Sequence, residues 1–197
     1  MTILSERQMR LISVNVGKSR EIGKLRGAAV ESAIHKEPVT GPVAVNRLNL
    51  EGDTQADLVV HGGRDAAAYL YPSEHYEYWR RKFPEKELRW GSFGENLTTE
   101  GLLEDQVRVG DRLSIGSAEF AVTKPRLPCF KLGIKFGTQK MLRWFLESEF
   151  TGFYLEVLQV GQIQAGDKIT MVSAQADSST IAAIVQGVKK RPGSIDE

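Results

Sequence analysis

The chain has 197 residues, 41% hydrophobic and 26% charged, with 26 Lys and Arg against 25 Asp and Glu. That length fits one domain with modest additions and a core of its own, and the near-cancelling charge argues against a nucleic-acid polymer or a membrane surface as partner. The longest apolar run is six residues, Ala66 to Tyr71, too short to span a bilayer; residues 1–10 hold no signal-peptide core and the single cysteine excludes an internal disulfide, so a reducing, cytoplasmic setting is expected.

Alternation over Leu11-Ile12-Ser13-Val14-Asn15-Val16 predicts a strand closed by Gly17. Short apolar runs at Pro42–Val45 and Asp57–Val60 predict two more. Ala66–Tyr71 is apolar throughout, as in a strand buried on both faces. Pro72 opens a predicted helix on which Tyr76, Trp79 and Phe83 share one face, and Pro84 stops it. The pattern Val107-x-Val109-Gly110-Asp111-x-Leu113-x-Ile115 returns as Ile163-x-Ala165-Gly166-Asp167-x-Ile169-x-Met171. It predicts two related β-turn-β units in one sheet or barrel, each with a tight Gly-Asp turn. Phe120–Thr123 and Tyr154–Val160 add strands. Thr138 caps a second helix carrying Met141, Leu142 and Phe145, and a third runs from about Ser178 to Lys189 with Ile181, Ile184, Val185 and Val188 as its stripe. Strands outnumber helices without βαβ alternation, so the fold class is mainly β with peripheral helices. The last residues are expected to form a disordered tail.

Cys129 stands in Lys124-Pro125-Arg126-Leu127-Pro128-Cys129-Phe130-Lys131-Leu132-Gly133. A lone cysteine is more often a buried filler than a reactive thiol. Here two prolines stiffen its approach. From Phe120 to Leu146 there is no Asp or Glu, while Lys124, Arg126, Lys131, Lys135, Lys140 and Arg143 are basic. Positive neighbours favour the thiolate, the form that binds soft metals or attacks electrophiles, and they would hold an anion beside it. Solvated, outward-pointing cations are the plainer alternative. His61-Gly62-Gly63-Arg64 offers a histidine, glycines able to take φ > 0 and form an anion nest, and a cation that can fork onto phosphate. A histidine bonded only to backbone is the alternative there. Gly91–Gly101 is dense in small polar groups; Asn96, Thr98 and Thr99 are candidates to contact a heterocycle or phosphate, or else bond to their own loop. Gly17-Lys18-Ser19 lacks the spacing of a nucleotide P-loop. The histidines and cysteine form no structural zinc pattern.

In chain order, His61-Gly62-Gly63, the Tyr-Pro-Ser-Glu-His-Tyr-x-x-Trp stretch from Tyr71 to Trp79, Phe93-Gly94-Glu95-Asn96-Leu97, Val109-Gly110-Asp111, Pro125-Arg126-x-Pro128-Cys129, Thr151-Gly152-x-Tyr154 and Gly166-Asp167 resemble the motifs of the MOSC family, named for the C-terminal domain of molybdenum cofactor sulfurase. The likeness is to its small stand-alone bacterial, YiiM-like members. It covers residues 10–173, for which it implies a MOSC-type β-barrel, leaving 174–197 as a C-terminal helix and tail. Many such members carry a further helical domain after the barrel; here about 25 residues follow Val172.

The resemblance implies a pyranopterin molybdenum cofactor with Cys129 as metal ligand. On that basis Cys129 and His61 are the expected catalytic residues, with His61 donating to an oxo group or orienting the pterin. Arg126, Arg64, Gly62, Gly63, Asn96, Thr98 and Lys131 are expected to bind the cofactor, with Lys18 a further candidate for its phosphate and Glu95 behind Asn96. The family likeness also implies an oxidoreductase for N-hydroxylated compounds such as hydroxylaminopurines. With no flavin, haem or iron–sulfur motif in the chain, electrons would come from a separate reductase docked on the basic surface near Cys129; a homodimer is a further expected state. Two alternatives stay open. One is a carrier of cofactor or sulfur without reductase activity. The other is a cysteine hydrolase pairing Cys129 with His61 or His75.

Overall fold

The structure, a computed structural model, describes residues 8–54 and 63–191. Its organising element is β6 (Ala68–Pro72), every residue of which is buried. Because side chains alternate across a strand, Ala68 and Leu70 enter one apolar core while Tyr69 and Tyr71 enter a second, aromatic one. That two-sided burial explains the continuous apolar run. Its first residues differ from the expected strand: Arg64–Ala66 form a 3-10 turn. The predicted strand at Asp57–Val60 lies outside the described residues.

β6 lies within an eight-stranded sheet. Beside it run β7 (Leu97–Glu100) in parallel and β10 (Phe153–Gln159) antiparallel. Beyond β10 come β9 (Ala118–Pro125), β8 (Arg112–Ile115) and β12 (Ile169–Ser173); beyond β7 come β1 (Arg10–Val16) and β4 (Glu37–Val39). The expected barrel is not closed by a continuous ladder. The free edge of β1 is shared: Val14–Val16 pair with β4, while Arg10 bridges Lys168 and Leu11 exchanges backbone hydrogen bonds with Gly166 and Asp167. The sheet thus curls until its seventh strand meets the turn into β12, and the bond to β4 prevents the seam from extending. Small hairpins complete the β structure: β2 (Arg20–Leu25) with β3 (Ala28–Ser32), and β5 (Val43–Val45) with β11 (Gly161–Ile163).

The two Gly-Asp copies become spatial neighbours, β8 against β12 with Leu113 opposite Met171 and Ile115 opposite Ile169. In each, glycine takes a left-handed φ (89° at Gly110, 97° at Gly166). The following aspartate accepts the backbone N–H three residues earlier, Arg108 for Asp111 and Gln164 for Asp167. The second arm of each copy is a strand of the large sheet, whereas the first arm of the second copy contributes only Ile163, to β11. Val107–Val109 are drawn off the sheet toward the segment before the C-terminal helix, where Val109 and Ile181 bond across to Ser179 and Val107.

The helices cover the aromatic core. α1 (Tyr76–Lys82) starts four residues after the expected Pro72, which ends β6 in extended geometry, and a 3-10 turn at Ser73–His75 intervenes. Tyr76, Trp79 and Phe83 are buried, and the Trp79 indole N–H donates to the Tyr71 hydroxyl at 2.7 Å. α3 (Lys140–Ser148) buries Met141 and Phe145, and Thr138 Oγ1 accepts the Lys140 N–H at its start. α4 (Ile181–Lys189), capped by Thr180 accepting from the Ala183 N–H, buries Ile181 and Val185. α2 (Phe130–Phe136) was not expected, because Gly133 and two prolines upstream mask its periodicity. No helix of the described residues is long and apolar enough to cross a membrane.

Candidate functional site

Between the β2–β3 hairpin, the ends of β6 and β9, and the start of α2 lies an open cleft of about 690 Å³, solvent at its mouth included. β9 ends at Pro125, and the proline-stiffened link carries Cys129 in extended geometry (φ −124°, ψ 163°) to the residue preceding α2. Cys129 is free, half-buried and lines the cleft. Its side chain makes no capping bond to α2.

Arg126 lines the same cleft and is buried. Its N–H donates to the Gly152 carbonyl at 3.2 Å, and its guanidinium lies 5.7 Å from the Tyr69 ring centre and 5.4 Å from that of Phe145. Nη1 is buried and, among the described residues, has no hydrogen-bond partner. A charged donor left unsatisfied in a protein interior is costly, so such an atom marks a place for a ligand. Burial opposes the guanidinium's charge, but Cys129 and the phenols of Tyr69, Tyr154 and Tyr71 outweigh it and hold its pKa above the ordinary arginine value. Tyr69 and Tyr154 form aromatic wall, and burial pushes both phenols above their usual pKa.

The cleft lining also carries Lys36, Asp53 and Asn96. Asn96 is spent within the protein: Oδ1 accepts the Tyr69 N–H at 3.1 Å, and Nδ2 donates to Asn15 O at 3.3 Å and Asp53 Oδ2 at 2.9 Å. It therefore positions Asp53 and β6 rather than offering a free amide. Lys131 lines the cleft.

Other expected site residues are placed elsewhere. Thr98 is fully buried behind the wall, donating to Glu95 Oε1 at 3.0 Å and accepting from Asn15. Arg64 is exposed and paired with Glu156 at 3.0 Å. Lys18 is exposed and lies outside the cleft lining. Gly63 has φ 101° at the head of the 3-10 turn, while His61 and Gly62 lie outside the described residues. His75 is buried against Glu104 (2.8 Å) and stacked on Phe150, away from the lining that holds Cys129, which removes it as that cysteine's base. The basic run is also divided: Lys124 pairs with Asp65 and Arg143 with Glu147, so of the six cations only Arg126 and Lys131 face the cleft. Lys36, Asp53, Tyr69 and Tyr154 were not expected there. Tyr154 sits in the Thr-Gly-x-Tyr motif, but no local pattern marks Lys36.

Behind the wall, Glu95 is completely buried and accepts from the Tyr76 hydroxyl, the Gly91 N–H (2.7 Å), the Phe93 N–H (3.0 Å) and Thr98. Burial raises its pKa, opposed by those donors and by Lys135. Gly91 and Gly94 let this loop press on the residue 34–36 strip: a Cβ at Gly91 would sit 2.6 Å from Lys36 O, and one at Gly94 would sit 2.8 Å from Ile34 Cγ1. Lys135 on α2 ties the two together, donating to Ile34 O at 2.7 Å and Gly91 O at 3.0 Å.

Burial lowers the Lys135 pKa to about 8 from 10.5, Glu95 partly offsetting it. Between those values the unfolded chain holds the proton that the folded chain has lost, so stability rises with pH across that window and is flat below it. In a thermal-unfolding series from pH 8 to 10, the wild type should gain on the order of 2 kcal/mol relative to Lys135→Met. Lys135→Met should remove most of that slope; an unchanged slope would show that Lys135 keeps its proton.

A model of the MOSC domain matches residues 57–170. Uncharacterized protein YflK of Bacillus subtilis (strain 168) is 39% identical over 170 residues, covering 86% of this chain and 76% of YflK. A protein of Gibberella moniliformis (strain M3125 / FGSC 7600) named Reductase is 30% identical over 189 residues, 94% of this chain but 33% of that longer protein. The crystal structure of YiiM from Geobacillus stearothermophilus matches with a TM-score of 0.74 at 35% identity, over 90% of this chain and 82% of YiiM. With its Gly-Asp turns, its curled sheet and its cysteine cleft all inside or beside the matched span, the chain belongs to the MOSC domain family.

Proposed function

We propose that this chain is a molybdenum-cofactor-binding oxidoreductase that reduces N-hydroxylated compounds, hydroxylaminopurines among them, with electrons from a separate reductase. The observation that carries it is the pairing, in one cleft, of the half-buried Cys129 sulfur with the buried Nη1 of Arg126, which has no hydrogen-bond partner among the described residues. A thiolate is a soft metal ligand, and an orphaned guanidinium nitrogen fits the phosphate of an anionic cofactor. Among the described residues no group of three His, Cys, Asp or Glu side chains stands ready to hold a metal; a metal held by Cys129 would bring its other ligands, as a dithiolene cofactor does. The MOSC family membership and the fungal relative's name support redox chemistry.

When bound, the cofactor supplies the two-electron redox step that protein side chains lack. Cys129 anchors it, and Arg126 with Lys131 takes its anionic end. Tyr69, Phe93 and Tyr154 supply flat walls that exclude water and suit a planar base. Protein loaded with one molybdenum per chain should reduce an N-hydroxylaminopurine to the aminopurine with reduced viologen as donor, and the metal-free form should not. Loaded protein that instead passes cofactor to an apo-acceptor and reduces nothing would establish the carrier alternative. Arg126→Met should cut molybdenum occupancy at limiting cofactor about 10–100-fold, the value of one charge-assisted hydrogen bond. Unchanged occupancy would rule out the phosphate contact.

A further inference from the structure

Lys36 and Asp53 form an ion pair inside the cleft wall, Nζ 2.5 Å from Oδ1, with both side chains less than a tenth exposed. Fold stability does not call for such a pair, since a buried ion pair is often no more stabilising than apolar side chains of equal volume. Its bonding is unequal. Asp53 takes two further donors: Oδ1 also accepts the Gly17 N–H at 2.9 Å, and Oδ2 accepts from Nδ2 of Asn96 at 2.9 Å. The Lys36 ammonium carries three N–H donors, and among the described residues Asp53 is its one hydrogen-bond partner. A cation held by a fixed carboxylate, with further donors unpaired among the described residues and lining the cleft, is equipped to hand over a proton.

We propose that Lys36 is the general acid that protonates the departing oxygen of the N-hydroxylated substrate, and that Asp53 is the positioning residue that keeps it charged and in place. This rests on the reductase function proposed above. The reaction R–NH–OH + 2 electrons + 2 protons → R–NH2 + water breaks the N–O bond, reducing the substrate at the expense of the protein electron donor, or of reduced viologen in vitro. Nitrogen takes one proton. The oxygen keeps its own hydrogen and takes the second proton from Lys36, leaving as water rather than as hydroxide. Lys36 regains its proton from solvent through the open mouth. The charges around it are Asp53 on its own wall, Glu95 and Lys135 behind it, and Arg126 and Lys131 among the other cleft residues. Burial lowers the ammonium's pKa, with Asp53 and Glu95 raising it back in part, so it gives up its proton more readily than a surface lysine.

The test uses molybdenum-loaded protein throughout. Lys36→Ala and Lys36→Met should keep metal content while kcat for the N-hydroxylaminopurine falls about 100-fold or more, the usual weight of a general acid. Lys36→Arg, which keeps the charge but holds its proton too tightly, should be equally slow. Methylamine should restore Lys36→Ala in proportion to its concentration and leave the wild type unaffected. Asp53→Asn should move the alkaline limb of the wild-type kcat profile to lower pH. In the oxidised, non-turning-over protein, fluorescence titration should show tighter binding of the N-hydroxy compound than of its amine product, and Lys36→Met should erase that preference. Full kcat in Lys36→Arg, or kcat within twofold of wild type in Lys36→Met, overturns the assignment and leaves the reductase function standing. A fully loaded wild type that reduces no N–OH compound overturns the function itself, and the assignment with it.

Discussion

On the function proposed above, Cys129→Ala should abolish molybdenum-dependent reduction while the protein remains folded. The sulfur is half-buried at the cleft and makes no capping bond to α2, so trimming it removes little packing and no capping bond from the fold. Its melting temperature should stay within about 2 °C of wild type, since 1 kcal/mol shifts a domain of this size by roughly 2–4 °C. Losing a partner that merely orients a metal ligand costs about 10–100-fold. Losing the sulfur that the proposed function makes the metal's protein ligand should cost well more than that, about a thousandfold or more in activity, with bound molybdenum falling in parallel. Elemental analysis and the viologen-coupled assay on one preparation check both halves. Full activity in the variant would discard the site. A collapsed melting temperature would instead make Cys129 a packing residue.

Glu95→Ala is expected to have the largest effect on stability, although Glu95 does not line the cleft. The substitution strands a buried tyrosine hydroxyl, two backbone N–H groups and a threonine hydroxyl at once. Leaving several buried donors unpaired should cost about 3–5 kcal/mol, or roughly 10 °C in melting temperature. Glu95→Gln keeps the shape and one acceptor oxygen and should lose about half as much. Because Glu95 fixes Gly91 and Phe93, and Gly91 abuts Lys36 O, the damage should reach the cleft wall. The folded fraction of Glu95→Ala should therefore bind cofactor more weakly as well as melt earlier. Calorimetry that found Glu95→Ala within 1 kcal/mol of wild type would contradict a carboxylate at the centre of four hydrogen bonds.

Much of the fold was legible because it depends on local pattern. Apolar residues at Leu11–Val16, Phe120–Thr123 and Tyr154–Val160 recur with the two-residue period of a strand, and those segments, all but Val160, lie in β1, β9 and β10. The Gly-Asp turns were readable because a left-handed residue followed by a short acceptor has few sequence solutions. The helical faces at Tyr76, Trp79 and Phe83 and at Ile181 and Val185 were readable for the same reason at a period of 3.6. What failed was also local in origin. Pro72 fits a first helical turn and the end of a strand equally well, and only pairing with Thr99 of β7 decides for the strand. The β2–β3 hairpin carries too few buried side chains to show a period.

By itself the amino-acid sequence determined the family, the mixed β and helical class and the prominence of Cys129 and Arg126, because motif order and residue chemistry are carried by short stretches of chain. Only the tertiary structure decided which charges share a space with that sulfur. Lys36, Asp53 and Arg126 are separated by up to 90 residues, and their meeting is set by how the sheet curls and where α2 begins, which no local period encodes. The same long-range packing consumed Asn96 and Thr98 in internal hydrogen bonds and turned Arg64 out to Glu156. A polar side chain's role depends on the partner that reaches it first, and that partner is chosen by the fold.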